Sequence, residues 1–166
     1  MTKTSKAACV SRNPSTEART PIAFVILGEC ASKANSRKIV ARRVRRGDVL
    51  KVRPMSIKSD KARDYERDAL LQIPPAARQR LTGPVRVTLR IWYRTERPDL
   101  DESIVLDVLQ DRWTTVADQR VLIQKGCYRN DRQVREKHVY HGIDPFNPRT
   151  EILIEPLTAQ QYDLFD

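Results

Sequence analysis

Three aspartates have the residue type and the spacing of a metal site. Asp99 and Asp101 stand two apart, directly after a segment that alternates apolar and polar residues, and Asp131 precedes another such segment. Residues two apart at a strand end project to the same side of a sheet. Carboxylate oxygens are the ligands that hard divalent cations prefer. We therefore expect the three side chains to share a magnesium ion, for which manganese could substitute.

Each aspartate also has an ordinary structural interpretation. Asp99 and Asp101 could cap a helix, and Asp131 could form an Asx-turn with its own backbone. Any one of them, taken singly, is more often structural than metal-binding. Their occurrence together in a basic chain favours the metal site.

The chain around these carboxylates is strongly basic. Its 166 residues include 31 Lys and Arg against 21 Asp and Glu, which gives a formal net charge of +10. This balance favours a polyanionic partner, above all nucleic acid, although a solvated basic surface is the alternative. A metal-dependent nuclease needs an acidic pocket on a cationic surface, because the surface holds the phosphate backbone and the pocket holds the metal.

The densest run of positive charge lies between residues 33 and 46. It contains no aromatic residue, so contact with phosphates is favoured over base stacking. A solvated loop or an exposed edge strand is an equally good interpretation. The residues that we expect to contact DNA are Lys33, Arg37, Lys38, Arg42, Arg43 and Arg45.

Other functional classes are disfavoured. Cys9, Cys30 and Cys127 lack the paired spacing of a structural zinc site, and reduced thiols in a cytoplasm fit them best. The longest apolar run, residues 22–27, is too short to cross a bilayer, and the N-terminus lacks the apolar region of a signal peptide. We therefore expect a cytoplasmic protein without a membrane partner.

Hydrophobic periodicity predicts a single α+β domain over residues 21–157, between a disordered basic arm (1–20) and a flexible tail (158–166). Alternation is strictest in 85–93, which predicts a half-buried strand. Ser56 is the predicted cap of a helix that ends near residue 73. The other predicted strands are 22–27, 49–52, 133–141 and 151–155, and the other predicted helices are 101–113 and 116–124.

The order and spacing of the acidic motifs resemble those of the RusA-like Holliday junction resolvases. That family has a Ser/Lys/Asn/Arg-rich loop after its first strand, then a strand ending in Pro-Asp-Leu-Asp-Asn, a helix, and an Asp-Asp-x-Gln-Val turn. Residues 28–37, 98–102 and 130–134 stand at the corresponding places. The resemblance covers roughly residues 22–157. It implies a mixed β-sheet packed with helices and a homodimeric, magnesium-dependent endonuclease that cuts branched DNA in bacterial or phage-infected cells. It also implies that Asp99, Asp101 and Asp131 are the metal-binding catalytic carboxylates.

Three positions depart from the family pattern. Glu102 replaces the usual Asn, and either joins the metal shell or charges a helix start. Asn130 replaces the first Asp of the turn, and Val105 falls where the family has a catalytic Lys. Lys125 and Lys137 are candidate substitutes for that lysine. A missing lysine also leaves open a catalytically impaired protein that only binds DNA junctions.

The end of the chain carries a second signal. Residues 161–165 resemble the pentapeptide by which bacterial replication and repair proteins dock into the sliding clamp. Leu164 and Phe165 would fill an apolar pocket of the clamp and the Gln161 amide would hydrogen-bond beside it. The alternatives are that the tail packs back on the domain, or that the protein is a clamp-associated adaptor that binds DNA without cutting it.

Overall fold

The computed structural model describes residues 20–32, 37–46, 49–96 and 99–157. The N-terminal arm up to residue 19, Lys33, and the tail residues Gln161, Leu164 and Phe165 lie outside the described residues. The elements in chain order are β1 (Ile22–Leu27), β2 (Arg37–Arg46), β3 (Val49–Lys58), α1 (Asp60–Gln72), β4 (Val85–Tyr93), α2 (Ser103–Leu109), β5 (Arg112–Val116), β6 (Gln119–Gln124), β7 (Val134–Ile143) and β8 (Arg149–Pro156).

A four-stranded mixed sheet in the order β1-β8-β4-β7 forms the centre of the fold. The β1–β8 and β8–β4 pairs are antiparallel, whereas β4 and β7 run parallel. Alternate residues of β4 are fully buried, as its sequence predicts: Val85, Val87, Leu89, Ile91 and Tyr93. The predicted single α+β domain is confirmed.

The two helices bury one face each in the same hydrophobic core as β4. Helix α1 contributes Ala62, Tyr65 and Ala69, and α2 contributes Val105 and Leu109 among others. These residues recur at the spacing of an apolar helix face. The hydroxyl of buried Tyr65 lies 3.1 Å from Thr150 Oγ1, so its polar end also has a partner.

The start of α1 differs from the prediction by one turn. Ser59, not Ser56, is the N-cap, and its hydroxyl accepts a hydrogen bond from Ala62 N at 3.1 Å. Ser56 lies instead in β3, which continues to Lys58 because it pairs with β2 along its whole length. Both serines suit a cap by residue type, and only strand pairing decides between them.

Helix α2 is shorter than predicted and ends at Leu109. The carbonyl of Leu109 accepts a hydrogen bond from Cys127 N at 2.7 Å, and Asp111 N donates to Tyr128 O at 3.1 Å. These long-range backbone bonds replace the next helical turn. Trp113, predicted to end the helix, therefore lies in β5.

Neither helix of the described part is long and apolar enough to span a membrane.

The predicted helix at 116–124 is wrong, because this segment forms part of the β5–β6 hairpin. Ala117 and Asp118 make a two-residue turn with φ of +47° and +60°, as type I′ hairpin turns require. The turn lacks the Asn-Gly or Gly-Gly pair that usually identifies it in a sequence. Short apolar segments such as 121–123 fit a helix or a strand equally well.

Candidate functional site

Residues 99–102, which we call the acidic loop, directly precede α2 and lie beside the buried end of β4. The Tyr93 hydroxyl donates to Asp99 O and accepts from Asp101 N, both over long distances of 3.5 Å. Burial raises the pKa of Tyr93, so its hydroxyl stays protonated at neutral pH. The sequence predicts the aspartates directly at the strand end, but β4 ends at Tyr93, so Asp99 and Asp101 lie in a loop and not on the strand.

The carboxylate of Asp101 is held in one orientation. Asp101 is only 8% exposed, and its Oδ1 accepts hydrogen bonds from Ser103 Oγ at 2.6 Å and from Ser103 N at 3.0 Å. The second bond satisfies a backbone amide at the start of α2. Asp101 therefore makes an Asx-type bond directly before α2, whose N-cap residue is Glu102, and this bond occupies one of its two oxygens.

Lys137 on β7 forms an ion pair with Glu102 of the acidic loop. Lys125 lies elsewhere: its carbonyl accepts from Arg78 at 3.0 Å, and the next residue, Gly126, donates to Asp111 Oδ1 just beyond the C-terminus of α2. Of the two candidate substitute lysines, only Lys137 contacts the acidic loop.

Asp131 lies near the other end of α2. It is exposed and begins a 3-10 turn, and its backbone N–H donates to Gln110 Oε1 at 3.4 Å. Gln110 directly follows α2, a helix of seven residues and thus about 10 Å long. Asn130 caps the turn through its side chain, which accepts from Arg132 N, so the Asx-type bond considered for Asp131 belongs to its neighbour.

The structure does not bring the three predicted carboxylates together. Oxygens that share one magnesium ion lie about 2.1 Å from it, and hence within about 4 Å of each other. Across the described ranges, no three His, Cys, Asp or Glu side chains form a group that could hold a metal ion. The site shared by Asp99, Asp101 and Asp131 therefore stays a prediction.

The acidic loop by itself fits magnesium in its chemistry. Magnesium commonly binds through one or two carboxylates, keeps several waters, and takes further oxygens from a substrate phosphate. Asp99 and Asp101 supply two such carboxylates, and Glu102 is adjacent. The Cys30 sulfur lies 3.8 Å from Asp101 O, but burial raises the pKa of this thiol to about 12. Magnesium prefers oxygen ligands to sulfur, so the candidate ligands here are the carboxylates.

A second polar site, which we call the Glu66 network, joins four elements. Lys58 Nζ donates to Glu66 Oε2 at 3.0 Å and to Asp107 Oδ2 at 3.1 Å, while an Arg112 guanidinium nitrogen donates to Glu66 Oε1 at 3.0 Å. Partial burial lowers the pKa of Lys58, but the hydrogen bonds and charges of Glu66 and Asp107 outweigh burial and raise it overall. No local motif reveals this network, because its members are far apart in sequence.

Strands β2 and β3 form a separate two-stranded antiparallel ribbon, which we call the basic hairpin. Each strand has ten residues, so the ribbon is about 30 Å long. Lys38 is partly buried at its base and paired with Asp60 at 2.5 Å. The predicted DNA-contacting residues that are exposed on the ribbon are Arg37, Arg42, Arg43 and Arg45.

Arg53 is a further exposed cation of the basic hairpin. The sequence pattern does not predict this contact, because the predicted second strand ends at residue 52. Its register partner is Arg42, so an extended β3 paired with β2 would have revealed it.

Comparisons with known proteins identify no relative. No protein-family model matches the chain, and a search of curated proteins gives no match either. The resemblance to the junction resolvases therefore rests on the sequence motifs and their order alone.

Proposed function

We propose that this protein binds branched DNA through its basic hairpin and cuts it as a magnesium-dependent endonuclease. The basic hairpin is the observation that carries the proposal. A two-stranded β-ribbon fits the major groove of duplex DNA, and exposed arginines suit the phosphates that border it. The hairpin presents such arginines on both strands, including Arg42 and Arg53.

The acidic loop is the proposed cutting site. Asp99 and Asp101 would hold the metal, and Glu102 would join them if it releases Lys137. Bound magnesium would supply polarisation of the phosphodiester, an activated water and stabilisation of the leaving oxygen. Ser103 orients the Asp101 carboxylate, and Lys137 places a positive charge beside the loop, where it would stabilise charge that develops on a phosphate. Asp131 is the proposed third carboxylate.

A homodimer is part of the same proposal. A four-way junction has approximate two-fold symmetry and must be nicked on two strands to be resolved. A two-fold dimer with one acidic loop in each subunit would supply both nicks. Light scattering on the purified protein should give twice the mass of one chain.

The test uses a synthetic four-way junction with each strand labelled in turn. The protein should bind the junction in the presence of a chelator and produce two paired nicks when magnesium is added. A linear duplex of the same sequence should not be cut. If the junction is bound but neither magnesium nor manganese yields products, the protein is not a nuclease. If the junction is not bound even at low salt, the basic hairpin is not a DNA-binding surface.

A second candidate function is that of a catalytically impaired protein that binds DNA junctions. Two observations favour it. Val105, which falls where the family has its lysine, is fully buried, and the described carboxylates do not form a three-ligand group. This candidate predicts tight junction binding that survives Asp99→Asn, with no metal-dependent products from the wild type.

A further inference from the structure

We propose that Arg42 and Arg53 together bind one phosphate group of the nucleic-acid backbone. The inference rests on the proposed DNA binding by the basic hairpin, and it goes further by defining a two-residue site. Arg42 on β2 and Arg53 on β3 are register partners. No sequence motif joins these two residues, and Arg53 is not among the predicted contacts.

The two arginines point to the same face of the ribbon because they lie directly opposite each other on antiparallel strands. Their Cβ atoms are then about 5 Å apart. Like charges in this position destabilise a two-stranded sheet. Both residues are exposed, and neither makes an ion pair with any described residue. The pair is therefore a local electrostatic repulsion that no carboxylate of the described residues neutralises.

The base of the same ribbon is different. Lys38 pairs with Asp60, and Lys58 pairs with Glu66 and Asp107. Acidic residues thus neutralise these two lysines where the hairpin joins the domain. The Arg42–Arg53 pair lies further along the ribbon, where an external anion would have to supply the missing negative charge.

Phosphate is the anion that best fits two adjacent guanidinium groups. Each guanidinium presents N–H donors in a planar fork that matches phosphate oxygens. Two arginine side chains whose Cβ atoms are about 5 Å apart can hydrogen-bond to the same phosphate from two sides. Phosphate contacts carry no base information, so the site should act equally on any DNA sequence.

Binding is tested with Arg42→Gln, Arg53→Gln and the double variant. The matched control is Arg67→Gln, which removes the same charge from an exposed α1 residue that is paired with Asp64 and Asp68. The probes are a short labelled duplex and a labelled four-way junction, titrated over a range of potassium chloride. Each single variant should bind about tenfold more weakly and lower the slope of log K against log salt by about 0.9.

The double variant should lose no more than either single variant, because one shared phosphate contact can be lost only once. Arg67→Gln should stay within about twofold of the wild type, since that cation is exposed and already paired. Two additive losses would mean that the arginines hold separate phosphates, and would overturn the shared site. The shared site would also be overturned if the salt slope stayed unchanged in both single variants, or if Arg67→Gln weakened DNA binding as much as they do.

Hydrogen exchange of the hairpin amides gives a second readout. Removing either like charge relieves the repulsion, so exchange in the free protein should become about two- to fivefold slower while DNA binding weakens. Faster exchange would indicate a structural role and would overturn the inference. If the wild type binds neither probe at low salt, the proposed DNA-binding function is wrong. If the wild type binds and the variants bind equally well, only the shared phosphate site is wrong.

Discussion

The ammonium group of Lys58, the last residue of β3, lies 3.1 Å from the Asp107 carboxylate on α2. This contact joins the base of the basic hairpin to the helix that follows the acidic loop. Lys58 also pairs with Glu66 on α1, so the hairpin is attached to both helices. The proposed DNA-binding surface and the proposed cutting site are thereby held on one framework.

Replacing Lys58 with Met should lower the free energy of unfolding by about 1 kcal/mol, because Glu66 and Asp107 lose a shared counter-charge while remaining partly buried. Since the folded pKa of Lys58 is raised, its contribution is full below the unfolded pKa near 10.5 and is lost as pH rises through the folded value. Urea unfolding should therefore separate the two proteins at pH 7, and the difference in stability should shrink as the pH rises above 10.5. Lys61→Met, which removes a more exposed lysine, is the control.

Lys137 and Lys125 should differ in their effect on DNA cleavage. Because Lys137 contacts Glu102 in the acidic loop, Lys137→Met should slow single-turnover cleavage by about a hundredfold. Lys125→Met, which removes a charge beyond the opposite end of α2, should leave the rate within a few fold. If Lys125→Met slows cleavage and Lys137→Met does not, the cutting site is not at the acidic loop.

Asp111 should be among the most sensitive positions for stability. Its side chain is fully buried and accepts hydrogen bonds from Arg80 Nε at 2.8 Å and Gly126 N at 2.9 Å. Asp111→Ala should cost about 3 kcal/mol, because it leaves a buried donor and a partly buried guanidinium without an acceptor. Asp64→Ala, at an exposed ion pair on α1, should cost less than about 0.5 kcal/mol in the same thermal or urea unfolding series. Equal losses of stability in Asp111→Ala and Asp64→Ala would contradict this explanation.

The proposed clamp-binding motif at the C-terminus can be tested independently of the nuclease site. A labelled peptide covering residues 159–166 should bind a purified bacterial sliding clamp, and replacing Leu164 and Phe165 with Ala should remove at least nine-tenths of the binding. Deleting residues 161–166 from the whole protein should leave junction binding unchanged. Absence of peptide binding would eliminate both clamp docking and the adaptor function.

Features fixed by local pattern were predictable from the sequence, whereas features fixed by long-range pairing were not. The alternation of 85–93 predicted β4, and the apolar face at Ala62, Tyr65 and Ala69 predicted α1. The residues 116–124 form a hairpin although no Gly or Asn occupies its turn. Helix α2 ends early because Leu109 accepts a backbone bond from Cys127, which no local signal reveals.

The candidate site likewise has features that follow from local sequence and features that depend on long-range contacts. The acidic loop could be located from the sequence because its carboxylates lie within four residues and follow the alternating segment 85–93, whereas its role as a metal site stays a prediction. The position of Asp131 beside Gln110 depends on how the β5–β6 hairpin returns the chain to the end of α2. The Glu66 network joins residues from positions 58 to 112, and the Arg42–Arg53 pair requires the register of β2 with β3.

The most direct test of the central claim is the single-turnover cleavage rate of a four-way junction by Asp101→Asn, at protein concentrations that saturate binding. We predict that the wild type makes paired nicks with magnesium, and that Asp101→Asn binds the junction equally well but cuts it at least about a hundredfold more slowly. Cleavage by Asp101→Asn at the wild-type rate, or the absence of nicks from a wild-type protein that binds the junction, would contradict the account.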